Sequence, residues 1–396
     1  MGTVPRTARL KWGSGLGSAD DTLRTALGRL IGRVIARRYR VEGLISVGGM
    51  GAVFRGRNIE RDVGVAIKVL RPDLLDNREA IARFDREAAV GAKLDHPNCL
   101  TVTDIGQMRT GTRWMAMPLL HGHDLTHELV RHVALPRAFD FTRQLFRALE
   151  HAHGKGVVHR DVKPDNIFVT RAPDGTELIK LCDFGIARLV AEPKGGRFVT
   201  RFGLVLGTPA YMSPEQAQGT TSDRRADLYS AGLVFYELLS GQSPFGDHTD
   251  PAKMIQNQVS TAPRPLPATV PPILAAIVQQ LLHKDRERRM QSAAEVLEAL
   301  DAAERMVWPD GELRRAVQSM AVVHKPLPPD DPKRWPAERS DAQAFDDALR
   351  ALLAEPTPAA SDLLQDGIRP RGSVTQISGI DMDNLELVDL APSDKD

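Results

Sequence analysis

One lysine, Lys68, lies in the middle of an otherwise apolar run, Val63–Leu70, which predicts a buried strand. A buried ammonium group is costly unless an opposite charge lies beside it. The next segment, Arg78–Leu94, has apolar residues at helical spacing and carries Glu87, which could turn inward to pair with the lysine. The sequence therefore predicts that this helix packs against this strand. The alternative is that the lysine reaches solvent from a sheet edge.

The predicted elements change in kind along the chain, from mostly strands to mostly helices. Strands are predicted over Tyr39–Leu44, Ala52–Arg57, Val63–Leu70, Leu100–Ile105 and Arg113–Met117. Helices are predicted over Arg78–Leu94, Phe139–Gly154, Ser222–Ser240, Pro272–Leu282 and Ser292–Met306. A sheet followed by a mainly helical segment indicates an α+β fold.

Composition excludes several classes of protein. The 52 Lys and Arg residues balance 51 Asp and Glu residues, so no overall charge favours nucleic acid as a partner. The two cysteines, Cys99 and Cys182, are isolated, which argues against a disulfide framework and favours a reducing compartment. No run approaches the roughly 18 apolar residues of a membrane span. We therefore expect a cytoplasmic protein.

The composition also divides the chain into segments. We expect a basic flexible leader, a densely patterned domain, a proline-rich linker, an amphipathic helix and an acidic disordered tail, over residues 1–36, 37–306, 307–339, 340–355 and 356–396 respectively. The last two segments could dock a regulator or another partner, or fold back on the domain.

A glycine-rich stretch lies between the first two predicted strands. It comprises Ile45, Ser46, Val47, Gly48, Gly49, Met50, Gly51, Ala52 and Val53. Glycines allow backbone amides to approach phosphate groups without obstruction by side chains. A hairpin turn that binds no ligand would use the same glycines, so this stretch alone does not decide between the two.

Two polar runs farther along carry the residue types that phosphoryl transfer needs. The first run is His159–Asn166, in which Asp161 could accept a proton and Lys163 could screen a phosphate. The second is Leu181–Gly185, which contains Asp183. The side-chain oxygens of Asn166 and Asp183 are hard ligands of the kind that Mg²⁺ prefers. Each residue alone could equally cap a helix or close a turn.

Five motifs resemble those of the protein kinase family and occur in the same order. They are the glycine-rich stretch, Val65–Lys68, His159–Asn166, Asp183–Gly185 and Ser213–Glu215. The resemblance extends from Tyr39 to Met306. Within the family, the chain looks most like the bacterial, eukaryotic-like (Hanks-type) serine/threonine kinases. The stretches that carry this likeness are Val47–Gly51, Gly207–Glu215 and Asp227–Gly232. The resemblance implies the two-lobed protein-kinase fold, with an N-lobe over residues 37–120 and a C-lobe over residues 121–306.

The resemblance implies a serine/threonine protein kinase that uses ATP and Mg²⁺, with Mn²⁺ as an alternative, on protein substrates. Lys68 would bind phosphates and be positioned by Glu87, Asp161 would be the catalytic base beside Lys163, and Asn166 and Asp183 would hold the metal. A pseudokinase that only binds ATP is the alternative. A small-molecule phosphotransferase is disfavoured, because such enzymes lack the long segment between Asp183 and Glu215. Whether activation needs a homodimer is left open.

The same resemblance assigns the nucleotide contacts. Met117 falls at the gatekeeper position and Pro118–Leu120 in the hinge, while Asp124 would either reach the ribose or cap the next helix. Ser46 replaces a family glycine, which predicts weaker ATP binding. The implied set is Ile45, Ser46, Val47, Gly48, Gly49, Met50, Gly51, Val53, Ala66, Lys68, Met117, Pro118, Leu120 and Asp124.

Further residues would regulate or support the site. Arg160 before the catalytic aspartate implies activation by phosphorylation, for which Thr200 and then Thr208 are candidates. Thr208 also resembles a threonine that bonds to the catalytic loop. Glu215 is expected to pair with Arg289, and Asp227 to support the catalytic loop. Separately, His123 and His127 could share a metal on a helix face, although a solvated face is the other interpretation.

Overall fold

The computed structural model describes residues 27–130, 133–172, 174–184, 209–246 and 250–321. Its N-terminal part contains one six-stranded antiparallel sheet with the order β1-β2-β3-β4-β6-β5. The strands are β1 Val34–Ile35, β2 Tyr39–Val47, β3 Gly51–Asn58, β4 Val63–Leu70, β5 Asp104–Gln107 and β6 Arg113–Pro118.

Alternation along β4 decides which face of the sheet meets the helix. Val65, Ile67 and Val69 pack with Phe54 and Trp114 on one face. The residues between them point to the opposite face, where Ala66 and Leu70 pack with helix α1, Arg78–Lys93. Lys68 lies between Ala66 and Leu70 in this alternation, so its side chain points to the same face. The strand therefore presents its lysine toward α1.

The C-terminal part is mainly helical, with a small sheet β7-β8-β9 at its junction with the N-lobe. Its strands are β7 His123–Asp124, β8 Ile167–Arg171 and β9 Glu177–Leu181. The helices are α2 Thr126–Leu129, α3 Leu135–Gly154, α4 Pro214–Ala217, α5 Arg224–Ser240, α6 Pro251–Ser260, α7 Pro272–Leu281, α8 Ala293–Val307 and α9 Glu312–Ala321.

Helix α5 is the centre of this C-lobe. Nearly all its residues are buried, so it has no polar face, and helices α3 and α7 pack against it. Asp223 caps its start by accepting the Arg225 amide, and Gly241 ends it in the left-handed region with a φ of 69°. The fold is the two-lobed α+β arrangement that the sequence predicts.

One predicted strand is displaced. Leu100–Ile105 was expected to be extended, but the strand β5 covers Asp104–Gln107. The backbone amides before it are used elsewhere, because Leu100 donates to Leu181 O at 3.0 Å and Val102 donates to Gly91 O at 3.1 Å. Apolar composition alone could not distinguish these contacts from those of a sheet.

Both ends of the folded region extend beyond the predicted domain. Leu27 is completely buried against the N-lobe sheet together with Ile35, so the prediction of a flexible leader is wrong for residues 27–36. The linker prediction is wrong for residues 307–321, because Trp308 packs on Phe139 and Leu313 of α9 is buried in the C-lobe core. Residues 1–26, the rest of the predicted linker, and the segments 340–355 and 356–396 lie outside the described residues.

Across the described part of the chain, no helix has both the length and the apolar character needed to cross a membrane.

Leu27→Ala should lower the free energy of unfolding by about 2–5 kcal/mol, the usual cost of emptying a leucine site in a core. Val34→Ala is the matched control, because Val34 lies in the same segment and is 45% exposed. Urea denaturation would measure both. Equal, small effects of the two variants would show that residues 27–36 do not belong to the folded N-lobe.

Candidate active site

Lys68 connects three elements of the fold through two carboxylates. Its ammonium lies 2.5 Å from Glu87 Oε1 on α1 and 3.0 Å from Asp183 Oδ1, just beyond β9. Burial lowers the pKa of Lys68, but the two carboxylates together raise it above its ordinary value. Lys68 in turn lowers the pKa of Asp183. The structure thus brings the lysine and both predicted acidic partners together.

A second group of predicted site residues meets in the loop before β8. Lys163 Nζ lies 2.8 Å from Asp161 Oδ2. The Asn166 amide nitrogen donates to the backbone oxygen of Asp161 at 2.8 Å and to its Oδ2 at 3.0 Å. Asp161 is therefore held by an ammonium and an amide, and its carboxylate orientation is fixed on one side.

Backbone hydrogen bonds join this loop to Asp183. The Cys182 amide donates to Asn166 O at 2.8 Å. The His159 imidazole is completely buried, lies against the Phe184 ring at 4.6 Å and is 2.9 Å from Cys182 O. Burial lowers the pKa of His159, so the neutral ring can donate through Nε2 while Nδ1 accepts the Asp161 amide at 3.2 Å. The loop and Asp183 therefore form one hydrogen-bonded unit.

Asp227 of helix α5 also supports this loop, through its carboxylate. Its carboxylate, on α5, accepts the His159 amide at 2.8 Å and the Arg160 amide at 2.6 Å, and it lies 2.8 Å from His153 Nε2. Arg160 and Asp183 both have positive φ, 64° and 51°. Such conformations cost about 1–3 kcal/mol each and persist only where the surroundings enforce them.

The glycine-rich stretch forms the turn between β2 and β3. The Gly48 amide donates to Gly51 O at 2.8 Å. A Cβ at Gly51 would lie 2.8 Å from Val69 O, so this position requires glycine. Since Val53 pairs with Lys68 in the sheet register, the turn lies at the end of the strand pair that carries the lysine. Gly49 has open space where a Cβ would lie, which fits close approach of a phosphate.

The predicted hinge residues lie at the end of β6. Met117 is buried opposite Ala66, and Pro118 is exposed opposite Val65. The Leu119 amide donates to Gly64 O at 3.5 Å, which carries the sheet one step past the proline toward Leu120. The missing amide of Pro118 therefore leaves the sheet edge intact.

Asp124 lies two residues before the start of α2 at Thr126, and its Oδ1 accepts the Thr126 amide at 3.1 Å. A ribose contact of Asp124 stays a prediction. His123 lies on β7, 2.6 Å from Glu128, and His127 lies 3.1 Å from Asp124. Among the described residues no group of three potential ligands could hold a metal through these histidines. Because His123 lies on β7 and His127 on α2, the two histidines do not share a helix face, although their ring centres lie 5.5 Å apart.

Glu215 and Arg289 form a buried bidentate ion pair with distances of 2.8 and 2.7 Å. The pair anchors the end of the segment that follows Asp183. Both predicted phosphorylation candidates in that segment, Thr200 and Thr208, lie outside the described residues.

A family model described as "Protein kinase domain" matches residues 39–300. The chain belongs to the protein kinase family. The serine/threonine-protein kinase pkn3 of Myxococcus xanthus is 37% identical over 355 residues, covering 84% of this chain and 64% of that protein. PknA of Mycobacterium tuberculosis is 38% identical over 280 residues, covering 69% of this chain and 62% of that kinase.

This kinase chain spans from about a third to just under two thirds of the length of such relatives, the lower figure coming from M. xanthus pkn2, with 33% covered at 40% identity. Among solved structures, the kinase domain of M. tuberculosis PknI is similar, with a TM-score of 0.50 and 27% identity over 68% of this chain and 97% of that one.

Sequence reasoning missed one residue of the kinase site, Gln216. Its Nε2 donates to Arg160 O at 2.8 Å, while its Oε1 accepts the Ser213 amide at 3.0 Å. Gln216 thus joins the end of the segment between Asp183 and Glu215 to the loop that carries Asp161. The signal was present, because Ser213-Pro-Glu-Gln216 has the spacing of a capping box.

Cys182, next to the site, has a thiol whose pKa is raised by burial and by the nearby Asp183 carboxylate. A raised thiol pKa suppresses the nucleophilic thiolate. Cys182 is therefore poorly suited to act as a reactive thiol.

Glu215→Gln should lower the free energy of unfolding by about 3–5 kcal/mol, because it leaves the Arg289 charge buried without its carboxylate. A double variant, Glu215→Leu with Arg289→Met, should cost less than the sum of the single changes. Glu79→Ala, which removes a 72% exposed partner of Arg83, is the control and should have little effect. Additive single and double effects in urea denaturation would contradict a coupled buried pair.

Proposed function

We propose that this chain is an ATP- and Mg²⁺-dependent serine/threonine protein kinase. The observation that carries the proposal is the convergence of Lys68, Glu87 and Asp183 beside a loop in which Lys163 and Asn166 hold Asp161. Phosphoryl transfer needs positioned phosphates, charge neutralisation and an oriented acceptor, with little covalent help from the protein. Each requirement has a residue in this arrangement.

ATP binding is supported by the turn at Gly48–Gly51 and by Lys68. The turn offers backbone amides near the strand that carries the lysine, and Gly51 lets β3 approach β4 closely. Glu87 keeps the ammonium of Lys68 in place for the phosphates. The adenine would lie against the face of the sheet that carries Ala66 and Met117, which are neighbours in the register of β4 and β6, beside the hinge Pro118–Leu120.

The residues present also fit Mg²⁺. Asp183 is kept ionised by Lys68, and Asn166 uses its amide nitrogen for Asp161, which turns its oxygen away from that carboxylate. When bound, Mg²⁺ neutralises phosphate charge in the transition state, and Mn²⁺ could replace it. Asp183 and Asn166 would hold the ion, while Lys68 keeps Asp183 oriented.

Asp161 would act on the acceptor. Its carboxylate can accept the proton of a serine or threonine hydroxyl as the oxygen bonds to the γ-phosphorus and ADP leaves. Lys163, at 2.8 Å, would screen the γ-phosphate beside it. Preference for serine and threonine is supported by Lys163-Pro164 after the aspartate and by the names of the relatives.

Regulation and location are part of the proposal. Arg160 next to Asp161 supports activation by phosphorylation, with Thr200 as the first candidate and Thr208 as the second. Free thiols at Cys99 and Cys182 support a reducing, cytoplasmic setting. Segments 340–355 and 356–396 would dock a regulator, and dimerisation during activation stays a prediction.

Asp161→Asn should reduce kcat by about 10²–10⁴, the usual contribution of a positioned general base, while the Kd for ATP changes little. Asp165→Asn is the matched control, because it makes the same change four positions away on an exposed side chain. Transfer of radiolabel from ATP with Mg²⁺ to a basic protein substrate would measure activity. No label in the wild-type reaction, with ATP still bound, would favour the pseudokinase alternative.

Thr200→Ala should lower activity toward substrate, since a phosphate near Arg160 would be lost. Thr221→Ala is the control, because Thr221 is an exposed threonine beyond the segment. Mass spectrometry of the autophosphorylated protein would check the site directly. Phosphate on other residues only, with full activity of the Thr200 variant, would contradict this assignment.

A further inference from the structure

The loop between α1 and β5 is attached to one face of helix α3 by polar contacts. The buried Asn98 amide nitrogen donates to Gln144 Oε1 on α3 at 2.8 Å, and the Cys99 thiol donates to Ala148 O at 3.8 Å. His151 continues this face, because it follows Ala148 by about one helical turn. The same face of α3 therefore brings His151 to the loop.

Two imidazoles meet at this contact. The rings of His96, in the loop, and His151, on α3, are stacked with their centres 5.2 Å apart and an angle of 26° between their planes. His96 Nδ1 accepts the Asn98 amide at 3.1 Å, so the neutral His96 ring carries its proton on Nε2. His151 Nε2 is buried and has no hydrogen-bond partner among the described residues. Buried polar atoms almost always have a partner, so this nitrogen marks a position that a ligand could complete.

Two further cationic side chains lie beside these imidazoles. Arg147 precedes His151 by one helical turn on α3 and is exposed. Lys180, on β9, donates to Cys99 O at 3.3 Å, at the end of the same loop. The pKa of His96 is lowered first by burial and then by His151 when that ring is charged. Lys180 and Arg147 lower it further. Positive charge therefore converges on His96 from α3 and from β9.

These four residues form what we call the basic cluster: His96, Arg147, His151 and Lys180. Within the described part of the chain, none of them forms an ion pair with a carboxylate. Asp140, two turns before Arg147 on α3, already accepts the Gln144 amide at 2.8 Å. A metal shared by the two imidazoles would be opposed by the neighbouring ammonium and guanidinium, and no three potential ligands meet there in the described ranges. The charge of the cluster therefore favours an anion over a metal.

We propose that the basic cluster is a binding site for a phosphate-type oxyanion, separate from the residues that would bind ATP and Mg²⁺. A guanidinium fork, an ammonium and an imidazole N–H all donate to such an anion, and the arginine can do so through two parallel bonds. The bound anion would bridge the loop after α1, helix α3 and strand β9. It would thus join the end of the helix that carries Glu87 to the strand that leads to Asp183. The site does not depend on the proposed kinase function.

Sulfate is the first probe of the site. It keeps its charge over the pH range in which histidine titrates, so any pH dependence of its binding comes from the protein. Calorimetry of the full chain, against chloride at matched low ionic strength, should show sulfate binding that tightens as the pH falls, because a bound anion favours the charged imidazole. In histidine-labelled protein, NMR should show that sulfate raises the pKa of His96 by about one or more, the effect of an opposite charge at close range.

Arg147→Gln should weaken sulfate binding about tenfold, the loss expected for one hydrogen bond to a charged group. Arg305→Gln is the matched control, because it makes the same change at an exposed arginine of α8, outside the basic cluster. It should bind sulfate as the wild type does. Lys180→Met should weaken binding to a similar extent by removing the ammonium. His96→Gln keeps an N–H donor but cannot titrate, so it should reduce the pH dependence of binding.

Two more probes, added to phosphatase-treated protein, distinguish the sources of the anion. Tighter binding of a short phosphoserine peptide than of inorganic phosphate would identify a phosphorylated side chain as the ligand, and the reverse order would identify a free anion; either result supports the site. A protein that binds sulfate but transfers no phosphate would contradict the kinase function alone.

Two results would overturn the inference. One is a pKa of His96 that is the same in sulfate and in chloride. The other is equal weakening of sulfate binding by Arg147→Gln and Arg305→Gln, which would show attraction to the overall charge of the protein and no defined site.

Discussion

The contacts of Lys68 are the constraint on which the arrangement of the two lobes depends. An ammonium on a buried strand needs carboxylates, and it finds Glu87 on α1 and Asp183 beyond β9. The first fixes the helix to the N-lobe sheet, and the second joins that sheet to the C-lobe. Attraction between close charges grows as water is excluded, so the Glu87 contact, with both side chains largely buried, is the stronger of the two, whereas the Asp183 side chain is 61% exposed. The requirement that stabilises the lysine therefore also places Asp183, the proposed metal ligand, beside the proposed phosphate site.

Helix α5 provides the second fixed point. Asp227 accepts the backbone amides of His159 and Arg160 in the loop that carries Asp161. Arg160, the residue directly before Asp161, has a left-handed backbone conformation. The strain at Arg160 is offset by hydrogen bonds that a relaxed loop would not make. A second strained residue, Asp183, is joined to the same loop through Cys182 and Asn166. The proposed base and the proposed metal ligands thus share one support.

The sequence predicts what depends on local pattern and on long-range charge pairing with few candidates. A lysine in an apolar strand, with a glutamate on the next helix, predicts the contact of Lys68 with Glu87, and the resemblance to the protein kinase family predicts the pairing of Glu215 with Arg289. The sequence-based prediction failed where a contact with a residue distant in sequence decides the local structure. Leu100 and Val102 look like strand residues but donate to Leu181 and Gly91. Leu27 and Leu313 lie in stretches that read as leader and linker, because one buried leucine in a polar segment gives no periodic signal.

The same limit explains why α6 was not predicted. The buried residues of α6 are Asn257 and Gln258, which hydrophobic periodicity does not mark as core positions. Its partner Tyr229 has Arg289 at 4.9 Å and Lys284 at 5.4 Å from its ring centre, and Arg289 in turn holds Glu215. The buried Tyr229 ring therefore contacts two cations, Arg289 and Lys284, and each leads to the segment 209–216. Arg289 reaches the segment through its ion pair with Glu215, and Lys284 reaches it through the Tyr229 hydroxyl and the Gln258 amide. Because both routes start from α5, which also carries Asp227, the same helix sets the positions of the segment 209–216 and of the loop that carries Asp161.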